Sequence, residues 1–289
     1  MLKIICAMLF NWRETHSSYF KWSVLFILVL PITNLKAEEE LPLWELGLGA
    51  GVISQPYYPG SDETRNLFFP VPLPVYRGDV FKSDDDGVRA QLLKNDRLKI
   101  DVSLDFNYAI DSDDIDVRQG MDDIDSVLQI GPSLEILLSE TDNSQWFLNL
   151  PLRANFEIGD GVDGSGHTFA PNLTYFRSFD LGKTKWRAGF ALGPQFGSSD
   201  YHNVYYGVED EFATDFRSRY DAEGGYSGSR ALLTLKSHNK KRLWVFFMRY
   251  DNISSAEFED SPLVENSGGL SAGIIYSRYL FKSKETVSK

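Results

Sequence analysis

The stretch Arg97-Leu98-Lys99-Ile100-Asp101-Val102-Ser103-Leu104-Asp105-Phe106-Asn107-Tyr108 decides the fold. Its apolar residues (Leu98, Ile100, Val102, Leu104, Phe106, Tyr108) occupy every second position. A helix would scatter them around its circumference, whereas a strand sorts them onto one face. The opposite face carries Lys99, Asp101, Ser103, Asp105 and Asn107. One side of this strand is therefore built for an apolar medium and the other for a polar one.

The same period of two recurs along the chain. It is clearest at residues 44–52, 146–158 and 186–196, and weaker at 67–76, 88–92, 127–138, 169–179, 230–235, 243–250 and 270–281. Tilted membrane strands need about 9–11 residues to cross a bilayer. Aromatics stand near strand ends at Trp44, Tyr108, Trp146, Trp186, Trp244 and Tyr250, as interfacial girdles require. Soluble sandwiches also alternate, but Arg97, Arg153, Glu157 and Arg187 on the polar faces suit a lumen better than a second packed sheet. The fold class read from the sequence is all-β: an antiparallel transmembrane β-barrel. Single-chain bacterial barrels have even strand numbers, so these eleven segments predict about 12 strands, with 10 as the alternative. The missing twelfth is expected among residues 201–220 or 252–264. Leu98, Ile100, Val102, Leu104 and Phe106 are expected to face lipid, and Lys99, Asp101 and Asp105 the lumen.

Between these segments lie stretches rich in acid, Gly and Ser: 83–87, 111–125, 160–166 and 200–225. They read as loops. The aspartates of 111–125 offer oxygen ligands for Ca²⁺ but lack EF-hand spacing, so a solvated acidic loop is the better reading. Phe69-Pro70-Val71-Pro72-Leu73-Pro74-Val75 places proline at every second position. Three donors are then lost from one strand edge while the other stays intact, giving a barrel strand paired well on one side only; the alternative is a polyproline loop.

No run approaches the 18 to 20 apolar residues of a spanning helix. Residues 22–32 are apolar, follow Lys21 and precede Ala37, the arrangement of a secretory signal peptide. The domain reading is a cleaved signal over 1–37, a barrel over 38–281 and a polar tail over 282–289. Removing the signal takes away Lys3, Arg13, Lys21 and Lys36 against Glu14 alone, so the mature chain is more acidic than the −12 of the full sequence. Such acidity argues against nucleic acid, which wants a basic face. The single cysteine, Cys6, leaves with the signal, which removes disulfides and thiol chemistry.

Nothing in the sequence marks a catalytic, cofactor or metal site. The histidines after the signal (His167, His202, His238) fall among loop residues or strand ends, where ordering is expected to be poor. Ser227-Gly228-Ser229 is not a nucleophile elbow, and Gly161 to Gly166 lacks the Lys-Ser/Thr of a phosphate loop. The chain reads as non-enzymatic, with no cofactor.

An ordered set of short motifs remains. Gly47-Leu48-Gly49-Ala50-Gly51 is followed by Pro56-Tyr57-Tyr58-Pro59-Gly60-Ser61 and Phe69-Pro70-Val71-Pro72. Later come Ile130-Gly131-Pro132, Gly193-Pro194, Tyr205-Tyr206-Gly207-Val208, Ala222-Glu223-Gly224-Gly225-Tyr226, Ser261-Pro262-Leu263-Val264 and Ala272-Gly273. This order resembles the MipA/OmpV family, the MltA-interacting proteins of Gram-negative outer membranes. The resemblance implies an outer-membrane barrel in contact with outer-membrane lipid. It also implies a scaffold that brings a lytic transglycosylase together with a bifunctional penicillin-binding protein. The alternative it leaves open is a small porin-like or adhesive protein. Pro56, Tyr58, Gly60, Ser61, Tyr205, Tyr206, Gly207, Val208, Ser261 and Pro262 are expected to shape the barrel ends and hold a partner. Scaffold and pore differ in lumen filling: inward side chains and loops close the one, and a continuous polar passage runs through the other.

Overall fold

The computed structural model describes residues 41–287 except 78–80, 85–86, 91–92, 96, 183 and 240–241. The signal reading over 1–37 lies outside the described residues. A two-residue strand β1 (Leu41–Pro42) is followed by β2 (Trp44–Pro56), β3 (Thr64–Arg77), β4 (Phe81–Asp84), β5 (Gly87–Ala90), β6 (Leu93–Lys94) and β7 (Leu98–Asn107). Then come β8 (Ser126–Glu140), β9 (Ser144–Ile158), β10 (Val162–Phe169), β11 (Asn172–Leu181) and β12 (Thr184–Gly197). Helix α1 (Ser199–Tyr206) precedes β13 (Gly225–Asn239), β14 (Arg242–Asn252), β15 (Gly268–Lys282) and β16 (Thr286–Val287).

Strands β2 to β15 form one 14-stranded antiparallel sheet. Its path starts at β5 and ends at β6, which are separated in the chain by two residues, so the sheet returns upon itself. Within the path, β15 pairs with β2, joining the two ends of the chain. A closed sheet leaves no backbone edge in hydrocarbon, the condition for crossing a bilayer with strands. Among the described residues no helix is long and apolar enough to cross. The chain forms an antiparallel β-barrel.

Apart from the break between β10 and β11 within 169–179, and residues 91–92 of the segment 88–92, which lie outside the described residues, the alternating segments read from the sequence lie on strands. The sites proposed for one more strand do not: residues 201–220 hold α1 and a short 3-10 turn, and 252–264 form turns. The further strand segments are β4, β6 and β10. Strand β10 corrects the loop reading of 160–166, because Val162 onward pairs with β9. β10 and β11 lie end to end between β9 and β12, interrupted at Ala170-Pro171. The loop reading of 83–87 is likewise replaced in part by the β4–β5 hairpin. The tail reading over 282–289 is amended too, since β15 runs to Lys282 and β16 pairs with β1.

The proline-rich segment is a strand paired well on one side. β3 follows β2 from Thr64 opposite Pro56 to Tyr76 opposite Trp44. Toward β4, among the described residues, it pairs only at Tyr76 and Arg77. The edge from which Pro70, Pro72 and Pro74 remove donors is the sparsely paired one.

The outer wall is apolar: Leu48 is 55% exposed and Leu233 53%, with Trp44, Leu98, Leu152, Leu192, Leu270 and Ile274 also open on the outside. Exposed aliphatic residues in such number form a surface for hydrocarbon, not water. On β7 the side chains divide as read, with Ser103 and Asp105 buried inside and Leu98 open outside.

The lumen departs from expectation. On β2, β3, β14 and β15 it is apolar, formed by Ile53, Phe69, Val71, Leu73, Leu243, Val245, Phe247 and Ile275. Inward glycines make the room. A Cβ on Gly51 would come 2.5 Å from the Phe69 ring opposite it, and one on Gly273 would come 2.4 Å from the ring of Phe247. Elsewhere the lumen is polar and also filled. Lys99 pairs with Asp101 at 2.9 Å, and Arg187 lies over the Phe176 ring at 4.1 Å. Side chains lining a water-filled bore would be exposed to it; Ser103 is 2% exposed and Arg153 7%. This is a packed interior.

Candidate functional site

Short turns close one end of the barrel, where β2 begins and β15 ends. The long connections 57–63, 108–125, 198–224 and 253–267 gather at the other. In outer-membrane barrels short turns face the periplasm and long loops the exterior. The long connections fold into a cap with its own core, made of residues such as Tyr58, Ile110, Ile115, Tyr205, Tyr206 and Phe258.

Three of the sequence motifs meet in this cap. Tyr58 Oη donates to the Leu263 carbonyl at 2.8 Å, and Tyr206 Oη to that of Pro59 at 2.7 Å. Ser261 Oγ donates to the Tyr206 carbonyl at 2.7 Å and accepts from Leu263 N at 3.2 Å. The Tyr206 ring stacks on Phe258 with centroids 3.6 Å apart and meets Tyr58 edge-on. Gly60, at φ +103°, accepts at its carbonyl from the Glu265 and Asn266 amides; only glycine takes that φ without strain. Gly207 ends α1, Val208 bridges to Tyr220, and Pro56 ends β2. Tyr58, Ser61, Tyr205, Tyr206, Val208 and Ser261 are buried. These residues hold the cap together and present little surface to a partner. Burial raises the phenol pKa of Tyr58, Tyr205 and Tyr206, so all three stay neutral; Tyr58 and Tyr206 donate, and Tyr205 accepts from the Asn107 amide.

The acidic loop 111–125 is more structured than a solvated loop. Ser112 donates to the Asp122 carbonyl at 2.6 Å and receives Arg118 Nε at 3.1 Å, with Arg118 buried. Its aspartates cap its own backbone: Asp111 accepts from Asp113 N and Asp123 from Ser112 N.

Helix α1 corrects the loop reading of 200–225. Ser198 caps it by accepting from Tyr201 N, and Asp200 sits in the first turn, where the helix dipole favours an anion. It carries His202, which is 0% exposed and far from poorly ordered. Its Nδ1 lies 2.6 Å from the Glu223 carbonyl and its Nε2 2.6 Å from Ser227 Oγ. The carbonyl can only accept, so Nδ1 carries the proton and Nε2 accepts from Ser227. Burial lowers the imidazole pKa, against the opposing pull of the Glu223 carbonyl and Glu257, and the ring stays neutral. The distances match those of a base and nucleophile, and the same two contacts pin α1 to the 223–227 segment. Of the other histidines, His167 lies on β10 and His238 on β13.

Beneath the cap the packed lumen leaves a cavity of about 100 Å³. Four arginines line it (Arg65, Arg153, Arg230 and Arg249) against two carboxylates, Asp105 and Asp251. Arg230 Nε and Arg249 Nε flank Asp251 at 2.5 and 2.7 Å. Arg153 Nε donates to Ser103 at 2.7 Å and Nη1 to Gln129 at 3.3 Å, with Asp105 at 3.7 Å. Arg65 donates to the Ala109 and Tyr108 carbonyls and lies over the Tyr57 ring. Tyr201 and Tyr205 close the roof by bonding Gln129 and Asn107. Sequence reading placed Asp105 and Arg153 inward but missed the cluster. One available signal was the inward face of β14, which turns from Leu243, Val245 and Phe247 to Arg249 and Asp251.

The family model described as MltA-interacting protein MipA matches residues 48–280. Outer membrane protein OmpV of Vibrio cholerae serotype O1 is 30% identical over 195 residues, covering 66% of this chain and 70% of that protein. Outer membrane protein Omp26La of Vibrio anguillarum is 27% identical over the same shares. Among solved structures, a bacterial polysaccharide outer membrane secretin aligns with 83% of this chain and 99% of its own, at 8% identity and a TM-score of 0.42. OprG from Pseudomonas aeruginosa aligns with 84% and 98%, at 11% identity and a TM-score of 0.24.

Proposed function

Because this chain belongs to the MltA-interacting protein MipA family, we propose that it works in the outer membrane by binding, as a non-catalytic scaffold for peptidoglycan-remodelling enzymes. The observation that carries this reading is the filled bore. The inward residues are buried, the apolar cluster occupies one side of the lumen and the cap covers its outer end. A diffusion pore needs a continuous polar passage.

The partner class follows from the family description, which names an interaction with MltA, a lytic transglycosylase; a penicillin-binding protein would be the second client. Peptidoglycan lies on the periplasmic side, so such partners must meet the end with the short turns. Most of the motif residues in the cap are buried and lie at the other end, so this reading puts the docking surface on the periplasmic rim. A photo-crosslinking amino acid at Asn143, in the turn between β8 and β9, tests this against one at Phe216, exposed in the cap. Crosslinks to a murein-cleaving or murein-synthesising enzyme from Asn143 and not from Phe216 are expected. Capture of such enzymes from Phe216 alone, or from neither position, refutes the reading.

A further inference from the structure

We infer that the cavity beneath the cap is a binding site for a small oxyanionic solute carrying a carboxylate or phosphate group. The chain is strongly acidic, yet this cavity gathers four arginines around two aspartates. Asp251 already sits between Arg230 and Arg249, which leaves that trio with one positive charge in excess. The charge of Arg65 rests on two main-chain carbonyls and a tyrosine ring. Arg153, 7% exposed, reaches its nearest carboxylate only at 3.7 Å and is otherwise held by neutral oxygens.

Guanidinium groups withdrawn from water without matching carboxylates are costly, and an anion placed among them removes that cost. Their planar forks fit carboxylate and phosphate oxygens in pairs. The neutral oxygens of Ser103 and Gln129 fix the Arg153 plane in advance, so little ordering remains for the moment of binding. Tyr57, Tyr201 and Tyr205 supply flat apolar walls for the rest of the solute. This inference stands apart from the periplasmic scaffold reading and survives its failure.

The test is titration calorimetry on the mature chain in a non-ionic detergent at low ionic strength. Succinate and inorganic phosphate serve as anionic probes and glucose as the uncharged control. Saturable one-to-one heat with at least one anion and none with glucose is expected, and the preferred anion identifies the head group. Arg153→Gln should weaken that binding at least about tenfold, while Arg153→Lys, which keeps the charge and loses the fork, should fall between. Heat-modifiable gel mobility verifies that each variant is folded. Should Arg153→Gln fail to fold, Arg65→Gln, at the cavity's edge, takes its place with the same expectation. Absence of saturable heat from both anions, or unchanged affinity in a folded arginine variant, overturns the inference.

Discussion

Replacing Tyr206 by Ala asks whether the family motifs hold the cap. The ring is buried, stacked on Phe258 and edge-on to Tyr58, and its hydroxyl bonds Pro59 across a separation of 147 residues. Truncating a buried aromatic to Ala costs about 3–5 kcal/mol. Tyr206→Phe keeps the ring and strands the Pro59 carbonyl, a loss of about 1–3 kcal/mol. Both losses fall on the cap's own core and not on the strand ladders, so they should appear as local opening. Amide hydrogen exchange by mass spectrometry reads this directly. Since each 1.4 kcal/mol or so is a tenfold change, Tyr206→Ala should speed exchange in 199–206 and 253–264 by more than about a hundredfold. Tyr206→Phe should give a smaller acceleration, and β8 and β9 should keep their protection in both variants. Unchanged cap protection in Tyr206→Ala, or equal loss in cap and barrel, would refute the reasoning.

Val102→Arg puts a cation on the lipid face of β7 and should cost about 2–4 kcal/mol if the site lies near the bilayer midplane, measured by urea unfolding in lipid vesicles against Val102→Leu. Equal stabilities for the two variants would contradict the assigned face. His202 is held neutral by burial, so its folded pKa lies below the unfolded one; its contribution is present above about pH 6.5 and is lost as pH falls through the folded value. Exchange of the α1 amides, corrected for the intrinsic rate, should therefore be less protected at pH 5 than at pH 7.5, and a cap indifferent to pH would count against the buried imidazole. Ser227, despite its 2.6 Å contact with His202, should resist a fluorophosphonate probe, and stoichiometric labelling lost in His202→Gln would reveal a hydrolase.

Much of the wall was legible because a barrel strand meets two media, and its side chains must alternate between them. Residues 98–106 carry that alternation openly, and so does the proline edge of β3. β10 was hidden because Gly161 to Gly166 has the composition of a turn, although Val162 onward pairs with β9. α1 was hidden by its length of eight residues, although Ser198, Asp200 and Gly207 are ordinary helix-end signals. The motifs of the cap could be seen in order but not in contact, since Tyr58 and Leu263 are joined only by the closing of the barrel. The arginine cluster likewise depends on register across β3, β9, β13 and β14, which a single sequence does not display.

The filled, capped bore is the claim on which the binding role rests, and single-channel recording in planar lipid bilayers tests it most directly. The purified mature chain, inserted and shown by heat-modifiable mobility to be folded, should give no steady conductance steps at moderate voltage. Stable, uniform steps from the folded chain, persisting across preparations, would mean that water and ions pass through the lumen and would contradict the account.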